Sequence, residues 1–373
     1  MGSGTKAESG KAESGAVASI IARAPLSAFG SPLFLFIRHV NRPIQVIPIV
    51  GCRLLDSCHQ RTSNTGLIDH WPSSTSERVA TLKDFDYAAA ATVDEAVSLL
   101  SAHGDRAKIL AGGTDILVQL REGMREADLV LDIKRIPELT QLSFSTDRGL
   151  QLGAAVPAYQ LYNNPQISAV YSALTDAAHI IGGWQIQSRA SIGGNLCNSS
   201  PAADSIPALI CLGATVNIAG SGGRRKSPVS EFCTAPGKNV LKRGEFVVSI
   251  EFAAPGKHSG SCYQRFIPRN EMDIAVVGSG SWIRLDATGK KIEEARIGLG
   301  AVAPTPLLAS EASAFLAGKP ATEETFAAAG DLARKIAKPI SDMRGPADYR
   351  VHLVGVLVKR TLEQAAERAR KNG

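Results

Sequence analysis

The six cysteines of this 373-residue chain, Cys52, Cys58, Cys197, Cys211, Cys233 and Cys262, form no Cys-x-x-Cys pair. Nor do they show a Cys/His spacing that would build a zinc or iron–sulfur site. The chain is therefore expected to carry no metal of its own, and its scattered thiols point to a reducing compartment, the cytoplasm. No stretch reaches the roughly 20 uninterrupted apolar residues of a membrane span; the nearest, residues 32–50, is broken by Arg38, His39 and Arg42. Aromatics make up 5% of the chain and the net charge is only +6, with basic residues dispersed apart from Arg224-Arg225-Lys226 and Arg368-Ala369-Arg370-Lys371. Neither run has the aromatic interleaving of a nucleic-acid surface. The first reads as a solvated loop and the second as a helix C-terminus favoured by its dipole. The seven histidines make no triad-like or metal-like cluster, and none neighbours the glycine-rich segments described below, which argues against a covalent histidyl anchor.

What is present is a large apolar fraction, 44% of the residues, enough for two or three domains with sizeable cores. Residues 1–80 differ in kind from the rest. They open with a tandem Lys-Ala-Glu-Ser-Gly and continue without clear periodicity; between Gly15 and Leu55 there are arginines but no acids, a pattern shared with transit peptides. This segment is read as a disordered or artefactual extension, from an upstream start, in front of a domain that begins near Val79 or Leu82. From there the signals become regular. Thr92 with Glu95 predicts a capping box for a helix ending near His103-Gly104. Residues 108–111 predict a strand, 116–121 a helix and 129–133 a second strand. Further on come a strand at 150–156, helices from about 158 and over 167–181, and strands at 214–218 and 246–252. Pro255-Gly256 marks a boundary. Beyond it, strands at 262–267, 274–285 and 295–302 precede helices at 309–316, 323–337 and 347–370, an α+β order.

Two glycine-rich segments stand out, Ala111-Gly112-Gly113-Thr114-Asp115 and Ser191-Ile192-Gly193-Gly194-Asn195 running on to Asp204. A glycine pair lets backbone amides approach a ligand closely, and successive inward N–H groups make an anion nest. Two nests suit the pyrophosphate of a flavin dinucleotide, and a free helix N-terminus after Thr114-Asp115 adds to the first. Asp204 is placed to accept from ribose hydroxyls or an adenine amine. Gly278-Ser279-Gly280 is not a dinucleotide fingerprint, because Ile283 occupies the third glycine position and no helix opens after it. Cys197 lacks a neighbour that would lower its pKa and is read as a packing residue.

From about Leu82 onward the chain resembles the FAD-binding medium subunits of molybdenum hydroxylases, the group of aerobic carbon monoxide dehydrogenase and xanthine dehydrogenase. The matching pieces are Asp84-Phe85-Asp86-Tyr87, Leu110-Ala111-Gly112-Gly113-Thr114-Asp115, Ser191-Ile192-Gly193-Gly194-Asn195 through Asp204, and Tyr263-Gln264-Arg265-Phe266 with Pro268-Arg269 and Met272-Asp273. The resemblance implies an α+β chain: a two-lobed α/β FAD-binding domain of the PCMH and vanillyl-alcohol oxidase type at residues 81–257, with lobes at about 81–137 and 138–257. A small α+β domain at 261–371 follows. It implies that Ile109, Leu110, Ala111, Gly112, Gly113, Thr114, Asp115 and Ile116, with Ser191, Ile192, Gly193, Gly194 and Asn195, hold the FAD pyrophosphate. Asp204 then contacts the adenosine part, and Arg265 lies near the flavin ring. Ile181 stands where some relatives place an aromatic beside the flavin. Non-covalent FAD is the implied cofactor of this chain, while molybdopterin and [2Fe-2S] clusters belong to a large and a small partner subunit in a dimer of heterotrimers. The implied task is electron transfer from those clusters to NAD+, a quinone or another acceptor; the alternative is a stand-alone FAD-dependent reductase or oxidase.

Overall fold

In the computed structural model, which describes residues 83–269 and 272–373, every residue of the strand Leu129–Asp132 is buried. A strand covered on both faces needs a helix on each side, as in parallel sheets. The chain supplies both. β1 (Asp86–Ala89), α1 (Val93–His103), β2 (Ala107–Leu110), α2 (Ile116–Arg121) and β3 (Leu129–Asp132) build a parallel sheet in the order β1-β3-β2. Leu129 and Leu131 join the cluster of Val93, Ala96 and Leu100 from α1, whereas Val130, pointing the other way, joins that of Leu120 from α2. Thr92 caps α1 by accepting from the Glu95 N–H at 3.1 Å, and the Glu95 carboxylate accepts from the N–H of Ala91 rather than Thr92, at 2.8 Å.

The chain continues through α3 (Pro137–Thr140), β4 (Leu142–Ser145), β5 (Gly149–Gly153), α4 (Ala158–Tyr162), α5 (Pro165–Val170), α6 (Ser172–Ala178), α7 (Trp184–Gln187), α8 (Ile192–Asn198) and α9 (Ser205–Cys211). Then come β6 (Thr215–Gly220), β7 (Gly223–Pro228), a small hairpin of β8 (Cys233–Ala235) with β9 (Lys238–Asn239), and β10 (Phe246–Phe252). Five of these strands form an antiparallel sheet in the order β4-β5-β10-β6-β7. An irregularity between Val247 and Ser249 switches the side-chain parity of β10. As a result Phe246 and Val248 pack into the α1 core, while Val247, Ile250 and Phe252 pack into the core made with helices α4, α6 and α9.

The last part, β11 (Ser259–Phe266), β12 (Val277–Leu285), β13 (Ile292–Gly300), β14 (Leu307–Leu308), α10 (Ser310–Leu316), α11 (Glu323–Arg334) and α12 (Ala347–Lys371), is an antiparallel sheet with helices. One sheet face meets α12, where Thr361 bonds the hydroxyls of Ser279 and Ser281 at 3.2 and 2.7 Å. The opposite face is almost bare: Gly278 pairs with Gly300 and Gly280 with Gly298 across β12 and β13. Helix α9 settles onto this floor. A Cβ on Gly280 would stand 2.7 Å from the Pro207 carbonyl oxygen, one on Gly298 would overlap that same oxygen, and one on Gly300 would stand 2.7 Å from Pro207 Cγ.

Three sequence expectations are corrected. The helix expected over 167–181 is two helices, α5 and α6, broken at Tyr171 (φ −110°, ψ 48°), whose hydroxyl is held by the Ala253 carbonyl at 2.6 Å. Arg224-Arg225-Lys226 is not a loop but lies on the edge strand β7, with each cation held by a glutamate of the surrounding structure: Glu138, Glu245 and Glu251. Arg368 does more than complement a helix dipole; Nη1 donates to Asp176 at 2.6 Å and to the Ser261 carbonyl at 2.7 Å, tying α12 to α6 and β11. The expectation for residues 1–80 lies outside the described residues. Among the described residues, no helix is long and apolar enough to cross a membrane.

The seat of α9 leaves no room for a methyl group. Gly298→Ala is expected to lower unfolding stability by about 2–3 kcal/mol in denaturant titration, the scale of an overpacked core. A wild-type midpoint in the variant would show that the floor yields instead.

Candidate cofactor site

A cavity of about 780 Å³ runs between the loop after β2, the start of α8, the start of α9, the end of β11 and residues 239–247. Ile109, Ala111, Gly112, Gly113, Thr114, Asp115, Ile116, Ile181, Ser191, Gly193, Gly194, Asn195, Asp204 and Arg265 all line it. Leu110 and Ile192 do not: Leu110 packs against the Leu120 and Val130 cluster, and Ile192 is fully buried in the helical core.

The first glycine segment is a true nest. Gly113 takes φ +81°, a left-handed conformation that glycine adopts without strain. Among the described residues, no backbone carbonyl takes the N–H groups of Gly112, Gly113, Thr114, Asp115 or Ile116. Five adjacent free donors in a cavity are a strong demand for an acceptor. The loop is fixed from behind by Lys134, whose Nζ donates to the Ala111 carbonyl at 3.0 Å and to Asp132 at 2.7 Å, while the Tyr87 hydroxyl donates to Asp132 at 2.8 Å. Burial works to raise the Asp132 pKa, but the hydrogen bonds from Lys134 and Tyr87 outweigh it and hold the carboxyl below its ordinary value.

The second segment is a different device from the expected loop. Gly193 and Gly194 form the first turn of α8, capped by Ser191, whose Oγ accepts from the Gly194 N–H at 3.1 Å. Gly193 is required by close packing, since a Cβ there would stand 2.5 Å from the Ala154 carbonyl oxygen. The two segments also abut: a Cβ on Gly112 would overlap the carbonyl oxygen of Arg189, just ahead of Ser191. The Asn195 side-chain carbonyl accepts from the Ser205 hydroxyl at 2.6 Å, which joins α8 to α9 and leaves the amide donors of Asn195 to other partners.

Asp204 and Arg265, expected at the adenosine and flavin ends of an extended dinucleotide, form one buried ion pair. Arg265 Nη1 donates to Asp204 Oδ2 at 2.6 Å, and the Tyr263 hydroxyl donates to Oδ1 at 2.8 Å. Burial pushes the Asp204 carboxyl up to about 6, against the opposing pull of Arg265 and Tyr263. Tyr263 and Arg265 share a face because they are two apart on a strand, a relation present in Tyr263-Gln264-Arg265-Phe266 but pointing to no role for Tyr263 by itself. Sequence reasoning also missed Lys134, which no motif marks, and the basic lining. Lys108, Arg125, Lys242 and Arg243 join Arg265 around the cavity, and Arg125, Lys242 and Arg243 have no carboxylate partner among the described residues. Cys197 also lines the cavity, but burial pushes its thiol up to about 12, so it is no nucleophile near neutral pH.

Free amides and unpaired cations around a cavity of about 780 Å³ define a nucleotide-cofactor-binding α+β protein. Residues 83–255 match the family described as the FAD binding domain in molybdopterin dehydrogenase, and residues 262–365 match the CO dehydrogenase flavoprotein C-terminal domain. A putative xanthine dehydrogenase FAD-binding subunit of Escherichia coli K12 is 33% identical over 289 residues, 76% of this chain and 98% of the relative. The carbon monoxide dehydrogenase medium chain of Hydrogenophaga pseudoflava is 33% identical over 281 residues, 75% of this chain and 96% of the relative. A solved carbon monoxide dehydrogenase structure from that organism superimposes with a TM-score of 0.73, covering 77% of this chain and 99% of the other. The chain belongs to the FAD-binding medium subunits of the carbon monoxide dehydrogenase and xanthine dehydrogenase family. It is thus an oxidoreductase subunit whose cofactor is FAD.

Because Gly112 has no space for a side chain, Gly112→Ala is expected to displace the nest and weaken FAD binding at least about tenfold, or 1.4 kcal/mol, in a fluorescence titration; unchanged affinity would remove the nest from the site. Asp204 gives a pH signature. Its folded pKa lies above the ordinary carboxylate value, so the folded chain holds the proton more tightly than the unfolded one. Its stability contribution is therefore fully present below about pH 3.8 and lost as pH rises through about 6. The stability of the wild type relative to Asp204→Asn should increase as pH falls from 7 to 4 in thermal melts. A difference that shrinks over that range contradicts the assignment.

Proposed function

We propose that this chain is the flavin subunit of a molybdenum hydroxylase assembly. In this reading it takes electrons from [2Fe-2S] clusters on a small partner, fed by a molybdopterin centre on a large partner. It passes them to NAD+, a quinone or another acceptor, within a dimer of heterotrimers. The observation that carries the reading is the run of five N–H groups from Gly112 to Ile116 left without backbone partners in a cavity that also takes the start of α8. The fit to FAD is chemical as well as spatial. A cavity of about 780 Å³ is within the ordinary range for cofactors, the nest and the α8 terminus suit a pyrophosphate, and Arg265 Nε is a buried donor without a partner.

Bound FAD supplies the conversion between one-electron and two-electron transfer. The chain's own residues bind and orient. Residues 109 and 111–116, with 191 and 193–195, hold the pyrophosphate, Lys134 keeps the first of these loops in place, and Ile181 lines the cavity beside Gly182. Arg265 stands by the flavin ring, where a cation stabilises negative charge on the reduced cofactor. Asp204, in this arrangement, serves Arg265 instead of the adenosine. Residues 81–257 form the FAD-binding domain and 261–371 the smaller C-terminal domain.

The direct test is the visible absorbance of the purified full chain, alone and after co-expression with a large molybdopterin subunit and a small cysteine-rich subunit. Oxidised-flavin bands, with pigment released by acid precipitation and co-purification of both partners, are the expected result. A folded protein that stays colourless in both preparations would reject the proposal, and a yellow chain that turns over a substrate without partners would favour a stand-alone flavoenzyme.

A further inference from the structure

Five carboxyls line the cavity: Asp105, Asp115, Asp204, Glu245 and Asp273. Asp105 and Asp115 are exposed to solvent. Glu245 is held as an anion by two hydrogen bonds from Arg225, at 2.9 and 2.7 Å, and by the Lys242 N–H at 2.7 Å, which lower its pKa. Burial works to raise Asp273, but the Ile274 N–H at 2.8 Å and the Arg269 guanidinium outweigh it and keep this carboxyl below its ordinary value. Asp204 is the exception. It is 7% exposed at the start of α9, and its desolvation is opposed by a single cation, Arg265 at 2.6 Å, and a neutral phenol, Tyr263 at 2.8 Å. Burial prevails over both and pushes this carboxyl up to about 6; no other titratable group among the described residues acts on it.

A buried acid that depends on one cation is sensitive to any second anion drawn to the same cation. Reduction of the flavin creates one. The oxidised ring takes up two electrons and one proton to become an anion, and in the cavity that anion shares Arg265 with Asp204. Two anions and one guanidinium leave a negative charge without a counter-charge, in a wall where Arg265 is itself only 5% exposed and water screens little. Protonation of Asp204 removes the imbalance with the smallest change, because its burial already favours the neutral acid. Charge acts through space, so no hydrogen bond between Asp204 and the cofactor is needed.

We infer that Asp204 takes up a proton when the flavin is reduced: as the ring becomes anionic beside Arg265, the Asp204 carboxylate accepts a proton from solvent, and it returns that proton when the ring is reoxidised. Each reduction then brings two electrons and two protons to the site, one proton on the ring and one on Asp204. Asp204 acts on the ring through Arg265, as a positioning residue for charge. The inference rests on the reading that the cavity holds FAD with Arg265 by the flavin.

The test compares the full wild-type chain loaded with FAD with Asp204→Asn, in which Arg265 faces the ring without a competing charge. Protons taken up on electrochemical reduction are counted with a pH indicator, and the flavin midpoint potential is followed from about pH 5 to about pH 9. Reduction raises the proton affinity of Asp204. Between its oxidised-state and reduced-state pKa values the wild type therefore takes up one proton more per flavin, and its potential falls more steeply with pH than that of the variant. The two curves should part near pH 6, where the carboxyl titrates before reduction. A tenfold rise in proton affinity is expected, which is about 30 mV of additional fall for a two-electron couple. An infrared difference spectrum near neutral pH should show a protonated carboxyl appearing on reduction in the wild type and absent from the variant. Equal proton uptake with parallel potential curves would overturn the inference. So would a reduced wild type with the absorbance of the neutral, doubly protonated ring, since the second proton would then sit on the flavin. Tyr263→Phe is the second variant: the phenol holds the Asp204 pKa down, so its loss should move the steep region to higher pH without abolishing it. If Asp204→Asn does not fold or bind FAD, an unmoved steep region in Tyr263→Phe overturns the inference. If neither variant folds, the wild-type infrared difference decides, and no new protonated carboxyl on reduction overturns it. Failure of the wild type to bind FAD would overturn the cavity reading itself, which separates the two failures.

Discussion

The close seat of α9 on three glycines governs the geometry of the site. A helix normally stands off its neighbour by the thickness of the side chains between them, with axes about 8–10 Å apart for two packed helices. Here the Pro207 carbonyl and ring rest directly on Gly280, Gly298 and Gly300, so the N-terminus of α9 comes down to the level of β11. Only at that height does Asp204 meet Tyr263 and Arg265. The same descent draws Ser205 to Asn195 and so links the starts of α8 and α9 along one cavity wall. Arg296 secures the other end of α9, its Nε donating to the Cys211 carbonyl at 2.9 Å while its guanidinium lies 4.2 Å from the Trp282 ring centre.

The cavity's electrostatics are one-sided in a way that folding alone does not reward. A buried arginine with an unmet N–H opposes stability, while the free backbone donors and the exposed Arg125, Lys242 and Arg243, which have no carboxylate partners among the described residues, give the cavity its positive sign. The Asp204–Arg265 pair carries a desolvation cost of its own, which is why burial moves Asp204 upward despite a cation 2.6 Å away. These costs are offset when an anionic cofactor supplies the missing acceptors. Supporting contacts from Lys134, Tyr87, Ser191 and Tyr263 are satisfied in the protein itself, so the cavity is held open in advance of binding.

Much of the architecture was legible because it rests on short-range signals. Thr92 and Glu95 marked the start of α1, periodicity marked α2 and β10 to their end residues, and the glycine pairs marked the walls of the cavity. The errors arose where one local pattern serves two structures. Gly193-Gly194 reads equally as a nest or as a helix turn needing clearance, and the carbonyl of Ala154, some forty residues earlier, decides for the helix. Arg224-Arg225-Lys226 reads as a solvated run until Glu138, Glu245 and Glu251 are seen to receive it. Nothing in the neighbourhood of Asp204 along the chain discloses Tyr263 and Arg265, about sixty residues away, which it meets in the fold.

By itself, then, the sequence determined the composition of the site and the family: glycines where the backbone must be free of Cβ atoms, apolar periodicity for the elements, and motifs in order. These are local properties, set by conformational preference and burial pattern within a few residues. Tertiary structure alone decided which donors remain free, which acid holds which base, and how deeply α9 sits. Each of those depends on approach distances set to within a few tenths of an ångström between segments far apart in the chain, and no local preference encodes such distances.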